Sequence, residues 1–147
     1  MQFKKMMAVV LSFVISCMAF NSNIYAEALE SAIEDEIISE YVNASVVSSS
    51  LSISSATAEC RSNCIGYSYV TRISVTQTLQ KFWGMWIWND VDDASWQDTS
   101  TTNEIDISTS KSGLSSGTYR LKSVFTLWTQ NGQAETITIY SSEKTIA

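Results

Sequence analysis

The chain of 147 residues has no histidine, no proline and only three cysteines. Without histidine, the usual general base near neutral pH is missing. The common zinc sites go with it, because only Cys60 and Cys64 lie outside the N-terminal apolar segment. Positive charge is scarce as well. Nine Lys and Arg stand against fifteen Asp and Glu, a formal net charge of −6. An acidic chain repels phosphate backbones and anionic membrane surfaces, so neither nucleic acid nor a membrane is expected as a partner. There is no internal repeat. The apolar run at residues 6–20 is short for a bilayer span.

That run reads as the apolar core of a secretory signal peptide. Lys4 and Lys5 precede it, and Ala26 and Ala28 follow in A-x-A spacing. The expected signal peptide covers residues 1–28. A rival reading takes "VISC", Val14–Cys17, as a loose lipobox with a lipidated Cys17. Met18, Ala19 and Phe20 carry the apolar run past that cysteine, which favours the plain signal. Residues 29–40 are acidic, with Leu29, Ile33 and Ile37 at a spacing of four, and read as a short helical spacer or propeptide. Losing the leader removes Lys4, Lys5 and Glu27 and leaves the rest still more acidic. "SSEKTIA", residues 141–147, carries no sortase or anchor signal, so release to the exterior is expected.

From Tyr41 the pattern changes to a period of two. Leu51 and Ile53 alternate with serines. Tyr69, Ile73, Val75 and Leu79 share one parity, as do Tyr119, Leu121, Phe125 and Leu127, then Ile105 and Ile107, then Ile137 and Ile139. Such alternation predicts half-buried strands. Turn signals separate them at "CIGY", "FWGM", "LSSG" and "QNGQ", the last with an Asn-Gly pair. About seven strands over residues 41–147 predict an all-β domain, an antiparallel immunoglobulin-like β-sandwich.

Two local features test that fold. In "GTYRL", Tyr119 opens the strongest strand, where immunoglobulin domains place a tyrosine whose hydroxyl ties down a corner. Leu121 occupies the position of the second core cysteine, so packing replaces a disulfide there. In "CRSNC", the secreted context predicts a Cys60–Cys64 disulfide. In an extended strand these residues stand about 13 Å apart, so the bond requires Arg61–Asn63 to turn.

The order of "EYVNAS", "SLSIS" and "AEC", then "ISVTQTLQK", a Gly84–Met85–Trp86 step and "SGTYRLK", resembles an uncharacterised family of small secreted proteins of Gram-positive bacteria. The resemblance covers about residues 37 to 140. Its most specific parts are Thr78–Lys81 and Gly117–Lys122. It implies an extracellular location and an immunoglobulin-like β-sandwich. It brings no catalytic residues. Cys64, Trp83, Trp96 and Trp128 depart from the pattern.

"KFWGMWIWND", residues 81–90, holds three of the five tryptophans. With a turn near Phe82–Gly84, Trp86 and Trp88 share one face of the return strand, and Met85 and Ile87 share the other. If the indoles point inward, they fill the core of a thin sandwich. If they point outward, Trp86 and Trp88 join Trp128 and Tyr140 in an aromatic face among threonine hydroxyls. Such a face suits a sugar ring or a protein partner.

Asp90, Asp92 and Asp93 are weak calcium candidates, since the run lacks the EF-hand glycine and final glutamate. A solvated acidic loop is the default, and no cofactor is expected. Paired carboxylates on one tip lack the cleft that glycosidic chemistry needs, so the chain is not expected to be an enzyme. The leading expectation is a secreted recognition domain with a protein or glycan partner at the cell exterior. The alternatives are a carbohydrate-binding module using Trp86, Trp88, Trp128 and Tyr140, and a bacteriocin-like secreted protein, which the acidic charge disfavours.

Overall fold

The computed structural model describes residues 41–147. The expectations for the signal peptide at 1–28, for Cys17 and for the acidic segment at 29–40 lie outside the described residues. Eight strands follow one another among the described residues, against the about seven expected: β1 (Ala44–Ser54), β2 (Thr57–Gly66), β3 (Val70–Gly84), β4 (Ile87–Ser100), β5 (Glu104–Lys111), β6 (Gly117–Thr129), β7 (Ala134–Tyr140) and β8 (Lys144–Ile146).

All pairings are antiparallel. One sheet runs β1-β2-β5. The other runs β4-β3-β6-β7, with the short β8 also paired to β6. Hairpins join β1 to β2, β3 to β4 and β6 to β7, and the chain changes sheet from β2 to β3, from β4 to β5 and from β5 to β6. The two sheets pack face to face, because each has one apolar face to remove from water. The alternation read from the sequence does this. Ile73, Val75, Leu79, Tyr119, Leu121, Phe125 and Leu127 are all buried at 0–1% exposure, and all point between the sheets. Fully burying each such aliphatic or aromatic side chain contributes about 1.5–3 kcal/mol.

The core is divided. Val70, Ile73, Val75, Ile105, Phe125, Leu127 and their neighbours form one apolar cluster, and Leu51, Ala58, Leu79, Leu114, Tyr119 and Leu121 form another. Between the clusters runs a polar chain. The Ser123 hydroxyl lies 2.8 Å from that of Ser49 and 2.7 Å from that of Ser62. Gln77 Nε2 donates to Ser62 Oγ at 2.7 Å, and Thr109 Oγ1 donates to Gln77 Oε1 at 2.7 Å. The chain ties β1, β6, β2, β3 and β5 together. Gln77, Ser62 and Ser123 are fully buried, and among the described residues no buried side-chain polar atom lacks a partner.

The predicted disulfide is corrected here. Arg61–Asn63 does not turn. Cys60 to Cys64 is an unbroken stretch of β2, with Cys60 paired to Leu51 and Cys64 to Val47. Both thiols are free and buried, one in each apolar cluster. At i and i+4 of a regular strand they stand about 13 Å apart, beyond the reach of a disulfide.

At the other test point, Tyr119 is buried and its hydroxyl donates to the Ser115 carbonyl at 2.7 Å, four residues upstream. That bond pins the entry to β6.

Candidate functional site

The β3–β4 hairpin carries the aromatic stretch, and it turns two residues later than the sequence implied. Gly84 still pairs with Ile87, so the loop is Met85–Trp86 alone. Both residues have positive φ, 50° and 67°. A two-residue turn of that hand matches the right-handed twist of its strands, and Asn-Gly is its usual occupant because Cβ resists that region. Here methionine and tryptophan occupy it. Trp86 therefore leaves the strand and stands at the tip, 93% exposed, with Met85 at 89% and Trp83 at 77%. Phe82 and Ile87 continue the exposed apolar surface. No charge occurs from Phe82 to Trp88.

Trp88, Trp128 and Tyr140 lie on the outer face of the larger sheet, but they are not bare. The Arg120 guanidinium lies 4.1 Å from the Trp88 ring centre and 4.1 Å from that of Tyr140. Arg120 Nε also donates to Gln80 Oε1, whose amide nitrogen donates to Asp90 Oδ1, both at 2.9 Å. Phe82 leans on Trp88 with centroids 5.2 Å apart. Farther along the same face, the Arg72 guanidinium sits 3.9 Å from the Trp128 ring centre. Trp96 takes the opposite course and packs against both apolar clusters. Of the five tryptophans, only Trp83 and Trp86 have neither a ring nor a cation partner among the described residues nor a place against the core.

Beside the tip, a cleft of about 310 Å³ opens between the β3–β4 hairpin and the loop joining β5 to β6. Trp83 forms one wall and Tyr119 lies in its lining, with Lys81, Lys111, Asn89 and Asp92 around them. The loop wall is held at three points. Leu114 N donates to the Ala56 carbonyl at 3.0 Å, Tyr119 Oη holds the Ser115 carbonyl, and Lys81 Nζ donates to Ser115 Oγ at 2.7 Å. Lys81 crosses directly over Gly117, where a Cβ would come within 2.5 Å of its Cε and where φ is +142°. Glycine there gives the lysine its path.

The acidic residues do not assemble into a metal site. Among the described residues no group of three or more Asp, Glu, Cys or His converges, and Asp90 is engaged by Gln80. Asp90, Asp92 and Asp93, the weak calcium candidates, form no such group. In β4, Val91–Ala94 form a bulge opposite Leu79, with Asp93 at φ 53°.

The sequence did not reveal the cation–aromatic row or the cleft. A signal was present for the row, since Arg120, Trp128 and Tyr140 share the outward parity of their strands. The cleft depends on where the β5–β6 loop returns, which no local pattern encodes.

No protein-family model matches the chain, and no curated protein sequence matches it. Solved structures do. Wild-type OgpA from Akkermansia muciniphila aligns at 12% identity and a TM-score of 0.36, over 67% of this chain and 30% of that one. Catalytic inactive OgpA in complex with an O-glycopeptide (glycodrosocin) substrate aligns at 13% identity and a TM-score of 0.35, over 72% and 32%. The chain thus spans about a third of the length of those proteins. The exclusion of enzymes drawn from the sequence is withdrawn on this finding, because the matched structures are of a protein with a substrate and a catalytic inactive form. At these TM-scores the likeness carries no argument for a particular activity in this chain.

Proposed function

We propose that the chain is a secreted recognition domain, an immunoglobulin-like sandwich that docks a protein partner at the cell exterior through the tip of its β3–β4 hairpin. One observation carries this. Trp86 is 93% exposed on a turn whose backbone disfavours a side chain of its size. Trp83, Met85 and Ile87 surround it to make a contiguous apolar patch. Such patches mark interaction sites, and tryptophan is a preferred anchor in protein interfaces. The acidic charge of the chain weighs against anionic membranes and nucleic acid as the occupant of the tip. The strand order β1-β2-β5 against β4-β3-β6-β7 and the Tyr119–Ser115 bond support the immunoglobulin-like assignment.

The test is a photo-crosslinker placed at residue 86 and, as a control, at Ser108, with the labelled protein incubated with intact cells. The expected result is a saturable crosslink to one surface protein from position 86 alone. Unlabelled wild-type protein competes it away and the Trp83→Ala, Trp86→Ala double variant does not. Equal competition by that variant, or crosslinking that never saturates, overturns the proposal. Carbohydrate binding is a second reading, favoured by the cleft and not by the tip.

A further inference from the structure

We infer that the cleft between the β3–β4 hairpin and the β5–β6 loop is a binding site for an uncharged saccharide. This goes beyond docking at the hairpin tip, and different observations support it.

The cleft has a free aromatic plane. Trp83 is 77% exposed, lines the cleft and makes no ring or cation contact among the described residues. The outward rings of Trp88, Trp128 and Tyr140 each have a guanidinium against one face, and Trp86 does not line the cleft, so within the cleft the free indole plane for stacking a sugar is that of Trp83.

The charges of the cleft balance. Lys81 and Lys111 face Asp90 and Asp92, and none of the four makes a salt bridge, the Arg61–Asp106 pair being the only one among the described residues. A balanced lining does not select an anion or a cation. It does offer donors from the lysines, acceptors from Asp92, and both from Asn89. A ligand that uses all of these carries hydroxyl groups, each both donor and acceptor, around an apolar ring face that stacks on the indole. Pyranose sugars have that make-up.

The site is also built in advance. The three anchors of the β5–β6 loop and the path of Lys81 over Gly117 fix the wall opposite Trp83. A fixed wall spares the ordering cost that weak, hydroxyl-rich ligands repay poorly. The volume of about 310 Å³ is at the lower end for a small-molecule cleft, which fits a terminal one- or two-sugar epitope.

The experiment is a calorimetric and tryptophan-fluorescence titration of the purified protein. The probes are methyl glycosides of glucose, galactose, mannose, N-acetylglucosamine and N-acetylgalactosamine and their disaccharides, with glucuronate, N-acetylneuraminate and a tryptophan-containing tripeptide for comparison. At least one neutral sugar should bind in the micromolar-to-millimolar range. Trp83→Ala and Asn89→Ala should each weaken it by about tenfold or more. Tyr67→Ala, an exposed aromatic in the loop between β2 and β3, should leave it unchanged. Silence of every neutral sugar at about 10 mM overturns the inference. So does preference for the acidic sugars or the peptide, or binding that survives Trp83→Ala. Loss of crosslinking from the hairpin tip with sugar binding intact, or the reverse, separates this site from the docking tip.

Discussion

Ser62 on β2 and Ser123 on β6 hold their hydroxyls 2.7 Å apart across the sandwich, with Gln77 bonded to Ser62 from β3. On the proposed immunoglobulin-like reading, β2 and β6 are the counterparts of the two strands that a disulfide bridges in antibody domains. Here a hydrogen-bonded chain spans the sheets, and every polar atom in it is satisfied. Breaking one link leaves its neighbours buried and unpaired, which costs more than the bond itself contributes.

Gln77→Ala should therefore lower stability by about 2–4 kcal/mol, since it removes two links and leaves a cavity. Ser62→Ala and Ser123→Ala should each cost about 1–2 kcal/mol, and the double variant less than their sum. Urea unfolding followed by tryptophan fluorescence measures all four. Strict additivity would mean that the hydroxyls act separately and that the chain is not a network.

The parity of apolar residues was enough to place most of the core, because it depends only on local alternation. It missed Gln77 and Ser123 although they have the same parity as Val75 and Phe125. A polar side chain at an inward position is tolerable only when partners arrive from other strands, and those partners are set by register across five strands. The cysteines failed the other way. The alternation through Cys60 and Cys64 already put them on one face of one strand, and the expectation of an oxidising exterior overrode that geometry. At the hairpin, the glycine signal places the turn near Phe82–Gly84, whereas Gly84 precedes a turn built from two large residues. The tip follows from that shift, and the cleft from the return of the β5–β6 loop beside it.

Tyr119 and Ser115 link fold to site. Tyr119→Phe deletes the 2.7 Å bond that closes the corner and keeps the ring. The expected cost is about 1 kcal/mol. The larger effect should be local, with faster amide exchange over residues 112–116 by hydrogen–deuterium mass spectrometry and weaker saccharide binding through the loosened wall. Unchanged exchange would show that Leu114 and Lys81 hold the loop without the hydroxyl.

Burial pushes the Cys60 thiol up to about 11 and the Cys64 thiol to about 12, from an ordinary value of 9.0. Native thiols at pH 8 should resist iodoacetamide, and both should react after unfolding without any reductant. The pH dependence has a definite sign. In the unfolded chain these thiols ionise near pH 9, and in the native protein only near 11 to 12. Their contribution is fully present below pH 9 and is lost as pH rises toward 11 to 12. The fall in urea midpoint between pH 8.5 and 10.5 should be shallower in Cys60→Ala, Cys64→Ala than in the parent. An equal fall would assign the alkaline loss to other groups.

The hairpin tip sets stability against recognition. Met85 and Trp86 sit at φ 50° and 67°, where glycine and asparagine are at ease and large side chains are strained. Ser55 and Ala56 share this geometry at the β1–β2 turn, so strain alone does not mark function. At the β3–β4 turn, however, the strained residues are large, apolar and almost wholly in water, gaining nothing from the fold. Met85→Asn, Trp86→Gly should then raise stability by about 1 kcal/mol, a gain of roughly 4–8 °C in Tm for a domain of this size. The same variant should lose the crosslinked partner while keeping saccharide binding through Trp83. A tip kept for contact predicts that opposition between folding and docking. A variant that is less stable, or that still docks, would mean that the two residues pack or pair in a way their exposure does not show, and the docking element would have to be sought elsewhere on the sandwich.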